Sequence, residues 1–382
     1  MSSLRIAIVH DWLVSMGGAE RVLGELLRCY PDADLFALVD QLSEKERGFI
    51  RERSVKTSFI NRLPFVKTNY RKFLPLMPFA VEQFDLAGYD IVISSSHAIA
   101  KGVITGPDQL HISLCYSPMR YAWDLQGQYL KTSGLGAPCA LLARLMLHRI
   151  RLWDACAANR VDRFVAISHF IKRRIHKAYR REAEVIYPPV DADLFRMGGQ
   201  REGFYLAASR LVPYKRTDLI VKAFSAMKDR RLVVIGDGPE ASPLRRLAGP
   251  NVKMLGWVDR ATLVDYMQRA KAFVFAAEED FGIAPLEAQA CGTPVIAFGK
   301  GGVCETVRGL DDPCPTGVFF DAQDAGSIVD AVKRFERESG RIMDAACREN
   351  AMRFSSERFR AEFAAFVGRA WAEFKDDGGL AA

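Results

Sequence analysis

The chain of 382 residues predicts an α/β protein with two doubly wound, Rossmann-like parallel sheets, and three observations carry that expectation. Short apolar runs alternate with helical patterns throughout, as in βαβ units covered on both faces. The alternation breaks at Tyr187, Pro188, Pro189, Val190 and Asp191, where consecutive prolines favour extended chain, and then starts again. The length, with 49% hydrophobic residues, suits two cores rather than one. The expected bounds are 1–188 and 189–355 for the two domains and 356–382 for a last helix.

Leu4 to Val9 reads as the first strand. It leads through His10, Asp11 and Trp12 into Gly17, Gly18, Ala19 and Glu20, then into a helix with Val22, Leu23, Leu26 and Leu27 on its apolar stripe. Further strands are expected at Asp90–Ser94, Leu110–Cys115 and Asp162–Ile167. Beyond the prolines come Gly203–Ser209, Arg231–Ile235, Asn251–Leu255, Ala272–Ala276 and Thr293–Phe298. Phe354 to Phe374 is helical in pattern, with Phe359, Phe363, Phe366 and Trp371 as its apolar positions. Ligands of such sheets bind outside the carboxyl ends of the strands, so two facing sheets would make a cleft with the chemistry at strand ends.

Charge and composition narrow the classes. No run approaches the roughly 20 apolar residues of a membrane span, and the start MSSLRIAIVHDW reads as a strand rather than a signal peptide, so a cytoplasmic protein is expected. Eight cysteines without a C-x-x-C pair point to reduced thiols, with neither zinc nor a disulfide framework. Residues 1–188 carry 26 Lys and Arg against 18 Asp and Glu, whereas residues 189–382 carry 27 against 28. The basic excess is densest from Lys45 to Lys72, where Arg47, Arg51, Arg53, Lys56, Arg62, Lys67 and Arg71 interleave with Phe49, Phe59, Phe65, Tyr70 and Phe73. Such a segment suits an anionic membrane surface, at about 1 kcal/mol per basic residue, or else a solvated face above an ordinary core. A second cluster from Lys172 to Arg181 could extend it. Nucleic acid is not expected, for want of a recognition helix, RNP-like strand or finger spacing.

The most informative stretch is FVFAAEEDFGIAPLEAQACGTPVI, residues 273–296. It sets Glu279 and Glu287 across a turn punctuated by Gly282 and Pro285, between a buried strand and a helix start whose free N–H groups favour a diphosphate. In SRLVPYKRTDLIVKAF, Arg210 and Lys215 follow another strand, placed to neutralise a diphosphate and the charge that grows on a leaving group. Gly236 lies in a Gly-Asp-Gly-Pro turn after the next strand. The Gly17, Gly18 turn lacks the third glycine of a dinucleotide fingerprint and the lysine of a P-loop, which weakens dehydrogenase and ATPase readings. Two Asp-x-Asp matches, Asp32–Asp34 and Asp191–Asp193, read as turn or cap residues, so no metal and no cofactor is expected.

The Glu-x7-Glu run, the Arg-x4-Lys element, SSSHAIAKGV (94–103), CYSPMRYAWD (115–124) and VIYPPVD together resemble the retaining GT-B glycosyltransferases of family 4. The resemblance is to the subgroup with mannosyltransferases of bacterial O-antigen and exopolysaccharide assembly, and it runs nearly the whole chain. It implies that Glu279 meets donor sugar hydroxyls, Glu287 the ribose, and Arg210 with Lys215 the diphosphate. Gly17, Gly18, Gly236, Phe281, Gly282 and Ile283 are implied as further donor contacts, and His97 as a hydrogen-bonding partner of the sugar. Arg120 and Trp123 fall on the acceptor side. Relatives commonly carry a histidine where this chain has Tyr116, which leaves that histidine's role open here. The implied reaction moves a hexose, preferably mannose from GDP-mannose, to a lipid-linked glycan at the inner membrane face. Neither glutamate is a proposed covalent nucleophile. A uridine sugar donor, a phosphorylase or epimerase of the same fold, and a non-enzymatic sugar-nucleotide sensor are the rivals. No lysine stands out for pyridoxal phosphate, and none of the four charged donor-site residues is missing.

Overall fold

The computed structural model describes residues 4–50, 53–132, 134 and 136–378. Their strands form two sheets. The first contains β1 (Ile6–His10), β2 (Asp34–Ala37), β3 (Val55–Thr57), β4 (Ile91–Ser96), β5 (Leu110–Cys115), β6 (Arg163–Ala166) and β7 (Ala183–Val185), in the order 3-2-1-4-5-6-7. The second contains β8 (Phe204–Ala208), β9 (Arg231–Ile235), β10 (Val252–Gly256), β11 (Ala272–Phe275), β12 (Val295–Phe298) and β13 (Gly317–Phe320), in the order 10-9-8-11-12-13. Every pairing is parallel, as the alternation of strands and helices predicts. Strand order reverses between β1 and β4 in one sheet and between β8 and β11 in the other, the switch points at which doubly wound sheets open for ligands.

The nine expected strands are present with ends moved by at most two residues. The four that sequence reading missed, β2, β3, β7 and β13, are only three or four residues long, too short for a period to show. β4 runs on to Ser96 because its serine hydroxyls find partners inside the sheet: Ser94 Oγ lies 2.9 Å from His111 Nε2, with both residues fully buried. Asp34 opens β2 and takes hydrogen bonds from Lys56 and Tyr89, so it is not the turn residue expected. Asp191 does cap a turn, accepting the Leu194 N–H.

The chain divides into two units, Met1–Tyr187 with Phe359–Ala382, and Pro188–Arg358. The core of the first unit includes Val9, Val92, Ile99 and Met119, and that of the second Tyr205, Phe224, Val274 and Phe335. The helix Ser356–Gly378 buries Phe359, Phe363 and Phe366, and Arg360 pairs with Glu25 of the first unit at 2.6 Å. No helix among the described residues is long and apolar enough to cross a membrane.

One buried ion pair braces the first unit. Lys101, 1% exposed, donates to the Ala98 carbonyl at 2.9 Å and pairs with Asp154, which is fully buried and also accepts from Trp123 Nε1 (2.7 Å) and Tyr179 Oη (2.8 Å). Removing one partner of a buried pair strands the other charge, at a cost of about 3–5 kcal/mol. Asp154→Ala is therefore expected to lower unfolding stability by about that amount in a urea titration. A loss below about 1 kcal/mol, the range of an exposed pair, would contradict the bracing role.

Candidate functional site

Each unit collects polar groups at its switch point. In the first, parallel register sets His10 beside Ser95, so the ends of β1 and β4 release their chains side by side. The residue that follows β1 is Asp11, fully buried. Its Oδ2 accepts the backbone N–H groups of His97 (2.6 Å) and Ala98 (3.0 Å), and its Oδ1 those of Ile99 and Ala100, both at 2.6 Å. His97 Nδ1 lies 2.9 Å from the same Oδ2. Burial would raise the Asp11 pKa, but the charge and hydrogen bond of His97 hold this carboxyl well below the usual aspartate range. The His97 side chain remains 32% exposed, with its ring edge-on to Trp12 at 4.7 Å between centroids.

Beside it runs a buried polar chain. His10 Nδ1 lies 2.9 Å from Ser95 Oγ, which lies 2.9 Å from Tyr116 Oη, which donates to the Ala19 carbonyl at 3.2 Å. A carbonyl only accepts and each hydroxyl has one proton, so Ser95 donates to Tyr116 and the His10 Nδ1–H donates to Ser95. Burial pushes the Tyr116 phenol far above its ordinary value, keeping it neutral. The Gly17 N–H donates to Glu20 Oε2 at 2.9 Å, so this carboxylate already occupies the turn expected to approach a ligand. Gly18 begins the helix Gly18–Cys29. Arg120 is half-buried and close enough for its charge to act on His97, while the Trp123 N–H is committed to Asp154.

In the second unit the chain leaves β8 and passes the exposed Arg210 to reach Lys215 at the end of a short turn, Pro213–Lys215. Lys215 Nζ pairs with Glu279 Oε1, and the two side chains are only 16% and 18% exposed. These are the predicted phosphate and sugar residues, brought into contact across the switch point between β8 and β11. Glu287 lies on the helix Ile283–Ala290, which Gly282 precedes, and is 5% exposed. Pro285, expected near the first position of this helix, is its third residue. Phe281 packs its ring against Phe354, 5.8 Å between centroids, so any ligand contact there falls to its backbone. Gln289 donates to the carbonyls of Pro285 and Thr306 and accepts from Asn350, which holds the helix in place.

Two close backbone approaches fasten these loops. Gly236, with φ +135°, lies so near the β8 loop that a Cβ would meet the Ser209 carbonyl at 1.8 Å. Gly301, with φ +89°, leaves 2.4 Å between a Cβ and the Glu279 carbonyl, and the Gly302 N–H donates to that carbonyl at 2.8 Å. Gly301, Gly302 and Asp11 escaped the sequence reading. A glycine pair after a buried strand, and a carboxylate directly after another, were the available signals. Among the described residues, no group of three or more His, Cys, Asp or Glu is placed to hold a metal ion.

A model described as Glycosyl transferases group 1 matches residues 198–354, and one described as Glycosyltransferase Family 4 matches residues 16–194. Between them these two glycosyltransferase models match one stretch in each half of the chain. Among curated relatives, the D-inositol 3-phosphate glycosyltransferase of Mycobacterium sp. (strain JLS) is 30% identical over 229 residues, covering 53% of this chain and 50% of that protein. The protein of the same name from Mycobacterium tuberculosis (strain F11) is 30% identical over 231 residues, covering 52% and 46%. The chain thus spans about half the length of the curated relatives it matches. Among solved structures, Anabaena Alr3699/HepE in complex with UDP aligns with a TM-score of 0.71 at 16% identity, covering 96% of this chain and 100% of that one. Sucrose-phosphate synthase (tll1590) from Thermosynechococcus elongatus gives 0.71 at 18%, covering 97% and 100%. At such identities the likeness is one of fold, and that fold is GT-B.

The contact at Gly301 yields a direct test. Gly301→Ala adds a Cβ where both the space and the positive φ exclude it, so a loss of about 1–3 kcal/mol is expected in thermal unfolding, together with displacement of the Glu279 loop. An unchanged unfolding midpoint would show that the loop does not need this approach.

Proposed function

We propose that this chain is a family 4 glycosyltransferase that moves a hexose from a nucleoside diphosphate sugar to a lipid-linked oligosaccharide, with retention at the anomeric carbon. The Lys215–Glu279 pair at the second unit's switch point carries the reading. A diphosphate oxygen competing for the Lys215 ammonium would free the Glu279 carboxylate for sugar hydroxyls, so one exchange would engage both parts of the donor. Arg210 adds a second cation on the same loop, and the buried carboxylate of Glu287 suits the ribose hydroxyls. As the leaving group gains charge, Lys215 and Arg210 stabilise it in the manner of preorganised electrostatic catalysis. On the family resemblance, His97 is the proposed hydrogen-bonding partner of a sugar hydroxyl.

GDP-mannose is the preferred donor, on the resemblance of residues 94–103 and 115–124 to the mannosyltransferase subgroup. A uridine donor is the second reading, favoured by fold neighbours described in complex with UDP, UDP-glucose, or UDP and GlcNAc. A thermal-shift screen of GDP-mannose, GDP, UDP-glucose and UDP-N-acetylglucosamine separates the two. A ligand at a hundred times its Kd adds about 2.7 kcal/mol. A guanine-selective shift that Lys215→Ala and Glu287→Ala both abolish is the expected result. A uridine-selective shift changes the sugar nucleotide, and a shift indifferent to both substitutions removes the assigned donor site.

A lipid-linked acceptor calls for a place at the inner face of the membrane, and the first unit exposes suitable surface. Of the basic segment, Arg47 pairs with Asp40, Arg53 reaches the Pro31 carbonyl and Lys56 joins Asp34, while Arg62, Lys67, Arg71 and Lys72 are exposed beside Phe59 and Phe65. Arg51 lies outside the described residues. The helix Ala137–Ala158, which sequence reading did not single out, adds exposed Leu141, Leu142, Leu145 and Leu152, with exposed Arg144 and Arg149 between them. Its one acidic residue is the buried Asp154. Leucines interleaved with arginines suit the boundary between headgroups and acyl chains of an anionic bilayer. Sedimentation with vesicles containing phosphatidylglycerol is expected to recover the protein, less so at high salt. The Leu141→Gln, Leu145→Gln double variant is expected to bind at least about tenfold more weakly, from the apolar area withdrawn. Salt-independent binding, or none by the parent chain, contradicts the membrane assignment.

A further inference from the structure

We infer that Asp11 is a positioning residue for His97, holding the ring with Nδ1 against its carboxylate and the Nε2 edge open, and favouring the charged imidazole, which offers an N–H at Nε2, over the neutral one. The inference rests on the proposed contact between His97 and substrate, and it adds the charge state and the residue that sets it. Four backbone N–H groups donate to the two Asp11 oxygens, and His97 Nδ1 lies 2.9 Å from one of them. A carboxylate offers roughly four lone-pair sites and, when ionised, only accepts. Protonating Asp11 would turn one of those contacts into a clash of donors, so the anion is built into the loop. Nδ1 is buried 2.9 Å from this anion without a hydrogen bond, so the carboxylate favours a proton there by its charge, and the accessible third of the side chain is the opposite edge, where Nε2 sits.

The remaining titratable groups around the ring come from three elements. His10 ends β1 with its Nε2 3.6 Å from Glu20 Oε1, Glu20 approaches from the helix Gly18–Cys29, and Arg120 lies on the chain after β5. Burial works against a charge on His97. Asp11 opposes that first and Glu20 next, Arg120 acts the other way, and the outcome is a histidine raised above its ordinary value. The loop has little room to relax, because Lys101 at its far end is tied to Ala98 and Asp154. A cationic N–H suits the lone pairs of a sugar hydroxyl or a phosphate oxygen. It does not suit removal of a proton from an attacking hydroxyl.

The test follows the imidazole signals of isotope-labelled protein by NMR against pH, with His97→Gln to assign the His97 resonance among six histidines. The parent chain is expected to titrate His97 above the ordinary value of about 6.5, and Asp11→Asn to lower the midpoint. A raised pKa keeps the cation as pH rises, so in Asp11→Asn the alkaline limb of kcat/KM moves to lower pH. The loss at pH 8 is about tenfold or more, as expected for a hydrogen bond from a charged group. A purely structural Asp11 would lower the unfolding temperature and leave the midpoint where it was. If Asp11→Asn does not fold, Glu20→Gln, which removes only the weaker negative charge, is expected to lower the midpoint by less than full neutralisation of the ring requires. A parent midpoint at or below about 6.5, or one unmoved by Asp11→Asn and Glu20→Gln, overturns the inference. A shifted midpoint with activity indifferent to His97→Gln overturns instead the contact between His97 and substrate, so the two failures are distinguishable.

Discussion

Parallel pairing with a reversal of strand order is the constraint on which both candidate sites depend. At β1/β4 and at β8/β11 adjacent strands end together and their chains depart in opposite directions, leaving backbone groups that no neighbouring strand can satisfy. Those groups are met by specific devices. In the first unit one carboxylate, Asp11, takes four successive N–H groups. In the second, the Glu279 carbonyl takes the Gly302 N–H, and a glycine at 301 lets the two loops close to contact. The side chains that can do chemistry, His97 and the Lys215–Glu279 pair, sit on the loops so fixed.

Both sites keep opposite charges partly out of water, at a desolvation cost that exposed pairs avoid. The contrast with the surface is instructive. Pairs such as Arg163–Glu373 or Arg369–Glu184 are half-exposed and contribute at most about 1 kcal/mol. Lys215 and Glu279 are each more than four-fifths covered, and Asp11 is wholly buried. A pair held this way is poised for exchange: an anionic ligand can replace Glu279 at Lys215 at little further desolvation cost, because most of that cost is met in the folding of the domain.

How much of this was legible in the sequence follows from the range of each interaction. The donor-side motif was legible because its parts are local: the apolar run of β11, the glycine turn and the helix with Glu287 lie within 24 consecutive residues. Asp11 was not, since its partners stand 86 to 89 positions away and only the pairing of β1 with β4 brings them together. The short strands failed for a different reason. Val55–Thr57 and Ala183–Val185 lie at the two edges of the sheet and are three residues each, so pairing rather than period defines them. The basic segment shows the limit of charge counting, because Arg47, Arg53 and Lys56 are spent on internal acceptors and only part of its charge is offered to a partner.

Tyr116 shows how a departure from a family pattern acquires a physical meaning. In the relatives that this chain resembles a histidine commonly stands there, and a histidine could pass protons at moderate pH. The phenol cannot. It is buried and neutral, and its one proton is committed to a carbonyl, which fixes the direction of the whole chain from His10 through Ser95 to Ala19. Such a chain ends on an acceptor that has no proton to give, so it conducts nothing. What it does is tie β1, β4, the segment after β5 and the start of the first helix to one another around His97. The polar residues beside His97 therefore serve as scaffolding.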